Sequence, residues 1–281
     1  MTPAAALDWG RTVHCIGDLH AGAITPVRLA ALTRDLRKLS APALHLQIGD
    51  ATEEGRPPED ELALHFLEGL AGPWMPVLGN HDIWRNERSV KDWAKVYGVQ
   101  SQHVAVELRF VRLVVVGPDR NQSDERSGGL SSATLSFLDR QLAGTDRDCW
   151  IACHWPLCRT VMGNPAKHFT SGMQAFHAKP DDRIRELLGR HDNAKLWLSG
   201  HTHSPLTVPG LIKRAPLPHR RSILAINASA LVGVGKTRDP RDPLCSPLLT
   251  HKPGRIEVRF RDHRAGAWRK LRGKQVVRID V

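Results

Sequence analysis

Five times along this chain a short apolar run ends in polar side chains of the kinds that ligate metals. Thr12–Ile16 runs into Gly17-Asp18-Leu19-His20, and Ala43–Ile48 into Gly49-Asp50. Met75–Leu78 runs into Gly79-Asn80-His81-Asp82, Cys149–Cys153 into His154-Trp155-Pro156, and Lys195–Leu198 into Gly200-His201-Thr202-His203. Short apolar runs bounded by turn residues read as buried strands. In open α/β sheets functional groups gather beyond the carboxyl ends of strands. Five such ends therefore predict one composite site, and a fold that brings five strands to it.

Between these runs the hydrophobic period changes. Pro26 to about Leu39 reads as a helix with a proline in its first turn. Glu59–Leu70, Ser131–Leu142 with its serine cap, and Asp181–Arg190 with two acids in its first turn read the same way. Further strands are expected at Val104–Phe110, Arg112–Val116, Leu206–Val208, Ser222–Ile226, Arg255–Arg261 and from Ala267 to the end. Strands alternating with helices, then a strand-rich end, predict the α/β class. No repeat and no linker interrupts the pattern, so residues 1–281 are expected to form one domain, with a basic, strand-rich portion from about residue 204. Residues 155–180 have no clear period, and loops of that length are often binding loops or lids.

Composition narrows the function classes. With 41% hydrophobic and 25% charged residues, the 281-residue chain is neither disordered nor fibrous. No run of apolar residues approaches the length of a membrane span, and Met1–Gly10 lacks a basic n-region, which predicts a cytoplasmic protein. Five cysteines, an odd number, argue against a disulfide framework. The net charge of +11 points to an anionic partner, and it is uneven: residues 204–281 hold 17 Lys and Arg against 5 Asp and Glu.

Together the strand ends offer two Asp, one Asn and four or five His. That is enough oxygen and nitrogen ligation for two divalent cations, with positions left for water and substrate. In Asp18-x-His20 and His201-x-His203 the paired side chains sit two residues apart, so on an extended segment both face one cluster. One such pair alone is an ordinary surface feature; the recurrence at successive strand ends carries the argument. Two cations about 3.5–4 Å apart make a bridging water acidic enough to supply hydroxide at neutral pH.

The motif set resembles the calcineurin-like metallophosphoesterase superfamily over about residues 12–230. The resemblance implies a four-layer αββα sandwich: two mixed β-sheets packed together and flanked by helices. It implies that Asp18, His20, Asp50 and His203 hold one metal, that Asp50, Asn80, His154 and His201 hold the other, and that Asp50 bridges. It implies Asn80 and His81 as substrate-binding residues, His81 as general acid or donor to the leaving oxygen, and Asp82 as the carboxylate that orients His81. The expected cofactors are two divalent ions among Mn, Fe, Zn and Mg, since no thiolate is in the set.

Departures narrow the subgroup. Purple acid phosphatases place a Tyr ligand three residues after the bridging Asp, where this chain has Glu53; its one Tyr is Tyr97. Protein Ser/Thr phosphatases end the third motif in Glu, and here it ends in Asp82. Gly-Asn-His-Asp with Gly-His-Thr-His is most similar to class III cyclic nucleotide phosphodiesterases and their bacterial relatives, although His154-Trp155-Pro156 replaces their frequent His-His-Pro. The expected activity is hydrolysis of a small phosphomonoester or phosphodiester, with a nucleotide or cyclic nucleotide as a natural substrate. A nuclease using the basic C-terminal region, and a non-catalytic scaffold on the same fold, are the rivals.

Several residues have two readings. Cys149, Cys153 and Cys158 flank His154 but read better as buried thiols. Trp155 reads as packing before it reads as a base platform. Arg159, Lys167 and His168, and the run Lys213, Arg214, His219, Arg220, Arg221, could line a basic rim or a solvated loop. His14, His45, His65, His103, His177, His191, His251 and His263 belong to no motif.

Overall fold

In a computed structural model, residues 7–83, 88–119, 128–161, 176–204, 206, 210–228, 230–233, 244–271 and 273–281 are described. The element order is β1 (Thr12–Ile16), α1 (Pro26–Leu36), β2 (Leu44–Gln47), α2 (Pro57–Glu68), β3 (Trp74–Pro76), α3 (Val90–Val96), β4 (Val104–Glu107) and β5 (Arg112–Val115). Then follow β6 (Gly128–Gly129), α4 (Ser132–Ala143), β7 (Cys149–Ala152), β8 (Ala178–Lys179), α5 (Asp181–Gly189), β9 (Ala194–Ser199), β10 (Ile212–Pro216) and β11 (Ser222–Asn227). β12 (Cys245–Lys252), β13 (Arg255–Asp262), β14 (Ala267–Arg269) and β15 (Val277–Asp280) close the chain.

Two mixed sheets carry the fold. The first has the order β14-β13-β12-β1-β2-β3, with β15 also on β13; the second has the order β10-β11-β9-β7-β5-β4. β1, β2 and β3 run parallel in the first sheet, and β5, β7, β9 and β11 in the second. Apolar side chains alternate between the two faces of each sheet. Val13, Cys15, Leu44 and Leu46 pack against Leu113, Val115, Trp150, Leu196 and Leu224 of the second sheet. The other face of the first sheet packs Ile16 on Leu32, Phe66 and Trp93 of α1, α2 and α3. The other face of the second packs Val114 and Ile151 on Leu135, Leu138, Ile184 and Leu188 of α4 and α5. The layers are therefore α, β, β, α, as the sequence predicts.

The helices are closed by local chemistry. Thr25, Ser89 and Ser131 each accept a backbone N–H of the first turn of α1, α3 and α4. α1 stops at Leu36, three residues before the expected end, and α2 starts at Pro57, because paired prolines are preorganised for a first turn. The strand expected at Leu206–Val208 is not formed at Leu206, which lies in a turn; the other two residues fall outside the described set.

Candidate metal centre

The parallel strands deliver the expected residues to one end of the sandwich. Asp18 and His20 follow β1, Asp50 follows β2, Asn80 follows β3, His154 follows β7, and His201 and His203 follow β9. Hydrogen bonds stitch the two sheets together there. The His154 ring donates Nδ1–H to the Ile48 carbonyl at 2.7 Å. The His201 backbone N–H donates to the Asp18 carboxylate at 2.9 and 3.2 Å.

The backbone at these positions is strained. Asp18, His20, Asp50, His201 and His203 have φ of 34°, 47°, 51°, 71° and 45°, in the left-handed region that costs an L-residue roughly 1–2 kcal/mol. Such outliers persist where the surroundings over-determine them, and they cluster at functional sites. Two glycines are dictated by close approach. A Cβ on Gly49, itself at φ +81°, would stand 2.3 Å from His154 Nδ1, and one on Gly79 would stand 2.2 Å from Asp50 Oδ1.

Two groups of ligand atoms form, and Asp50 belongs to both. Asp18, His20, Asp50 and His203 gather in one, and Asp50, His154 and His201 in the other. His20 Nε2 lies 3.0 Å from His203 Nε2 and 3.6 Å from Asp50 Oδ2. His154 Nε2 lies 3.1 Å from Asp50 Oδ2 and 3.2 Å from His201 Nδ1. The partners of Nδ1 fix which nitrogen of each ring is free. His20 Nδ1 faces the Glu53 carboxylate at 2.7 Å, so its N–H is there and its Nε2 is left to ligate; the Ile48 carbonyl does the same for His154.

The donor set fits cations. Asp18 and Asp50 are fully buried, and among the described residues only histidines pair with them. Asn80 Oδ1 and His201 Nε2 are buried without a hydrogen-bond partner, at a cost that a cation would remove. Burial alone would raise both carboxyls. His203, by hydrogen bond and charge, instead holds Asp18 below its ordinary value, and His154 and His81 hold Asp50 well below. Burial pushes His20 down to about 4 and His201 to about 3. Burial opposes charge on His154 as well, but Asp50 outweighs it and lifts the ring to about 9. A site that raises the proton affinity of an interior imidazole is one that attracts positive charge.

The third motif corrects one expectation. His81 is half-buried, its ring centroid 4.6 Å from that of His20, with its backbone N–H on Asp50 Oδ1 at 2.9 Å. Its Nδ1–H donates to the Glu53 carbonyl at 2.7 Å. Asp82 does not orient this ring: its carboxylate accepts from Thr52 N–H and Oγ1 at 3.0 Å and from Gly79 N–H at 2.9 Å, and so braces the loops that carry Asp50 and Asn80. Burial, with the charge of Asp50, pushes Asp82 up to about 6. The positioning role falls to Glu53, side chain on His20 and carbonyl on His81. The sequence reading used Glu53 only to exclude a tyrosine ligand; its spacing of three from Asp50 was the available signal.

The secondary candidates resolve unevenly. Trp155 is buried, its ring 5.1 Å from that of His154 and 5.6 Å from that of His201, so it packs the site from behind. Burial pushes Cys149 up to about 11 and Cys153 to about 12, which makes them inert thiols. Lys213 and Arg214 are exposed on edge strand β10, with Lys213 Nζ on the Arg159 carbonyl at 2.8 Å. His219 and Arg220 are exposed in the turn that follows. Lys167 and His168 lie outside the described residues. Phe176, singled out by nothing in the sequence, has its ring 5.5 Å from that of His201.

Known proteins resemble this chain in family and in fold. A family model described as calcineurin-like phosphoesterase matches residues 11–205. A probable cyclic nucleotide phosphodiesterase of Synechococcus is 26% identical over 189 residues, 65% of this chain and 66% of that protein. A probable glycerophosphodiester phosphodiesterase of Arcobacter nitrofigilis is 25% identical over 167 residues, 58% of this chain and 57% of that protein. The chain thus spans about two thirds of the length of the first relative and less than three fifths of the second. The crystal structure of a dimetal phosphatase from Danio rerio shares the fold, with a TM-score of 0.65 at 14% identity over 97% of this chain and 99% of that one. No helix among the described residues is long and apolar enough to cross a membrane.

Proposed function

The chain belongs to the calcineurin-like phosphoesterase family, and from that premise we propose that it hydrolyses small phosphodiesters at a centre of two divalent cations. The observation that carries the reading is the pair of ligand groups sharing Asp50, with two buried polar atoms, Asn80 Oδ1 and His201 Nε2, left for a cation to satisfy. Both curated relatives are named as diesterases, one for cyclic nucleotides and one for glycerophosphodiesters, which favours a diester over a monoester. Residues 1–281 act as one domain in this reading, since strands from both sides of residue 204 complete each sheet.

Asp18, His20, Asp50 and His203 would hold one ion, and Asp50, Asn80, His154 and His201 the other. When bound, the two ions supply an acidified water as nucleophile and neutralise charge on the phosphoryl oxygens. The residues do the rest. Glu53 and the Ile48 carbonyl keep His20 and His154 in the tautomer that presents Nε2. Asn80 has an amide N–H to donate to a phosphoryl oxygen. His81 keeps Nδ1–H on a carbonyl, which accepts from the neutral or the charged ring, so its Nε2 can deliver a proton to the leaving oxygen.

Protein reconstituted with Mn²⁺ and assayed on bis-p-nitrophenyl phosphate and p-nitrophenyl phosphate tests this. Turnover of the diester, lost on chelation and in Asp50→Asn, is expected. A metal-loaded protein inactive on both esters, or active only on polynucleotide, refutes it.

A further inference from the structure

Three histidines outside every motif share one buried hydrogen-bonded chain. His45 Nε2 meets the Ala71 carbonyl at 3.2 Å, and His45 Nδ1 meets His14 Nδ1 at 2.9 Å. His14 Nε2 meets Ser246 Oγ at 2.6 Å, Ser246 Oγ meets His263 Nε2 at 2.6 Å, and His263 Nδ1 meets Asp35 Oδ2 at 2.9 Å. All five side chains are buried. The chain joins β1 and β2, the strands that lead to Asp18, His20 and Asp50, to β12, to the end of β13 and to α1.

Both ends of this chain only accept. One is a backbone carbonyl. The other is a carboxylate that Arg261 grips with Nε at 2.8 Å and Nη2 at 2.6 Å. Five contacts between two acceptors need five hydrogens. Three neutral imidazoles and one hydroxyl bring four. The chain is one proton short of complete.

We propose that it is a proton switch, which takes up one proton beyond the neutral complement and thereby sets the direction of the three hydrogen bonds among His45, His14, Ser246 and His263. With the proton, His263 is an imidazolium donating to Asp35 and Ser246, Ser246 donates to His14, His14 Nδ1 donates to His45, and His45 Nε2 donates to Ala71. Without it, His263 keeps Nδ1–H for the charged Asp35 and the polarity of the rest reverses: Ser246 donates to His263, His14 to Ser246, and His45 Nδ1 to His14. The deficit then falls on the longest contact, where His45 Nε2 and the Ala71 carbonyl confront each other with lone pairs. Both line a partly open cavity of about 110 Å³ beside α1. The charged groups around the chain are Asp35 of α1, Arg37 just after it, and Arg261 and Asp262 of β13. Burial pushes all three rings below the ordinary imidazole value, which puts the release of the proton on the acid side of neutrality.

Imidazole ¹⁵N NMR of the full-length protein, labelled at histidine and followed from about pH 4.5 to 8 across the ordinary imidazole range, reads the switch directly. The protonated nitrogen of His45 should move from Nε2 to Nδ1 in one transition shared with His14, while His263 Nδ1 stays protonated throughout. Ser246→Ala cuts the chain into two parts that each hold as many hydrogens as contacts, so His45 should then keep Nε2–H at every pH. A His45 tautomer that does not change in the wild type overturns the proposal, and so does a change that survives Ser246→Ala. Should Ser246→Ala fail to fold, His45→Leu serves instead: three contacts and three hydrogens remain, and the transition of His14 should vanish.

Discussion

Glu53 gives the most discriminating test of the site. Its carboxylate stands 2.7 Å from Nδ1 of the fully buried His20 and is itself one-fifth exposed, so water screens the pair only in part. Glu53→Gln keeps an oxygen able to accept the Nδ1–H but removes the charge that makes the ring a stronger ligand. Glu53→Ala removes both, and frees the ring to present the wrong nitrogen. Losing an outer-shell partner of this kind costs about 10–100-fold in metal affinity, or about 1.4–2.7 kcal/mol, with Gln near the lower end and Ala near the upper. Neither change touches the backbone carbonyl that holds His81. Turnover at saturating metal should therefore stay close to that of the wild type while the metal needed to reach it rises. Competition with a chromogenic chelator measures the affinity, and diester turnover against free metal measures the rest. A Glu53→Ala protein that binds metal as tightly as the wild type refutes the positioning role. One that binds metal weakly but stays as slow at saturation as His81→Ala shows that Glu53 acts through the reaction itself.

Three further outcomes follow from the same geometry. Because Asp50 lifts His154 to about 9 against burial, a metal must displace that proton at neutral pH, and affinity should rise about tenfold per pH unit up to that value. The sign for stability is opposite: the folded value lies above the ordinary 6.5, so in metal-free protein the pair stabilises fully below 6.5 and is lost as pH climbs to about 9, which calorimetry at several pH values will show or deny. Gly49→Ala forces a Cβ to 2.3 Å from His154 Nδ1 at a φ of +81°, so it should lower the melting temperature and the bound metal together, whereas a loss of stability with full metal content would mean the ring was not displaced. His81→Ala should slow an ester with a poor leaving group by about 10²–10⁴-fold, spare one with a nitrophenolate, and leave metal content intact; equal losses on both would remove the proton-donor role.

The sequence made the candidate centre legible because its proposed ligands follow strands, and strand ends are visible as the point where an apolar run meets Gly-Asp or Gly-His. Asp18, His20, Asp50, His154, His201 and His203 come together for that reason. Other features were hidden for physical reasons. β12 carries Pro247 and the polar Ser246, Thr250 and His251, buried among its apolar residues, so its pattern does not read as a strand. β10 is an edge strand with Lys213 and Arg214 on it, and such edges read as loop. The left-handed backbone at five site residues is only weakly marked by residue type, since Asp and His enter that region more readily than most residues but are held there by tertiary constraint. Asp82 reads as a partner for its neighbour His81, but adjacency in a turn does not make two side chains face each other, and two donors of Thr52 in another loop and the Gly79 N–H of its own loop occupy it.

The basic C-terminal quarter shows how charge can mislead when counted rather than placed. Its 17 Lys and Arg against 5 acids suggested a surface for an anion. Much of that charge turns out to be engaged within the molecule. Arg269 pairs with Asp262, and Arg255 and Arg278 with Glu257. Arg261 crosses to Asp35 of α1, an acid from the neutral part of the chain, and by holding it ionised creates the acceptor on which the histidine chain ends. The surplus is thus partly a structural device that ties the last strands to the first. Lys213, Arg214 and Arg220 are exposed on β10 and its turn, where Lys213 also meets the Arg159 carbonyl and Arg214 the Asp280 carbonyl. Mutating this hairpin should alter salt dependence of substrate capture without altering metal binding, whereas mutating Arg261 should destabilise the fold; a salt effect from Arg261 instead would reverse the assignment.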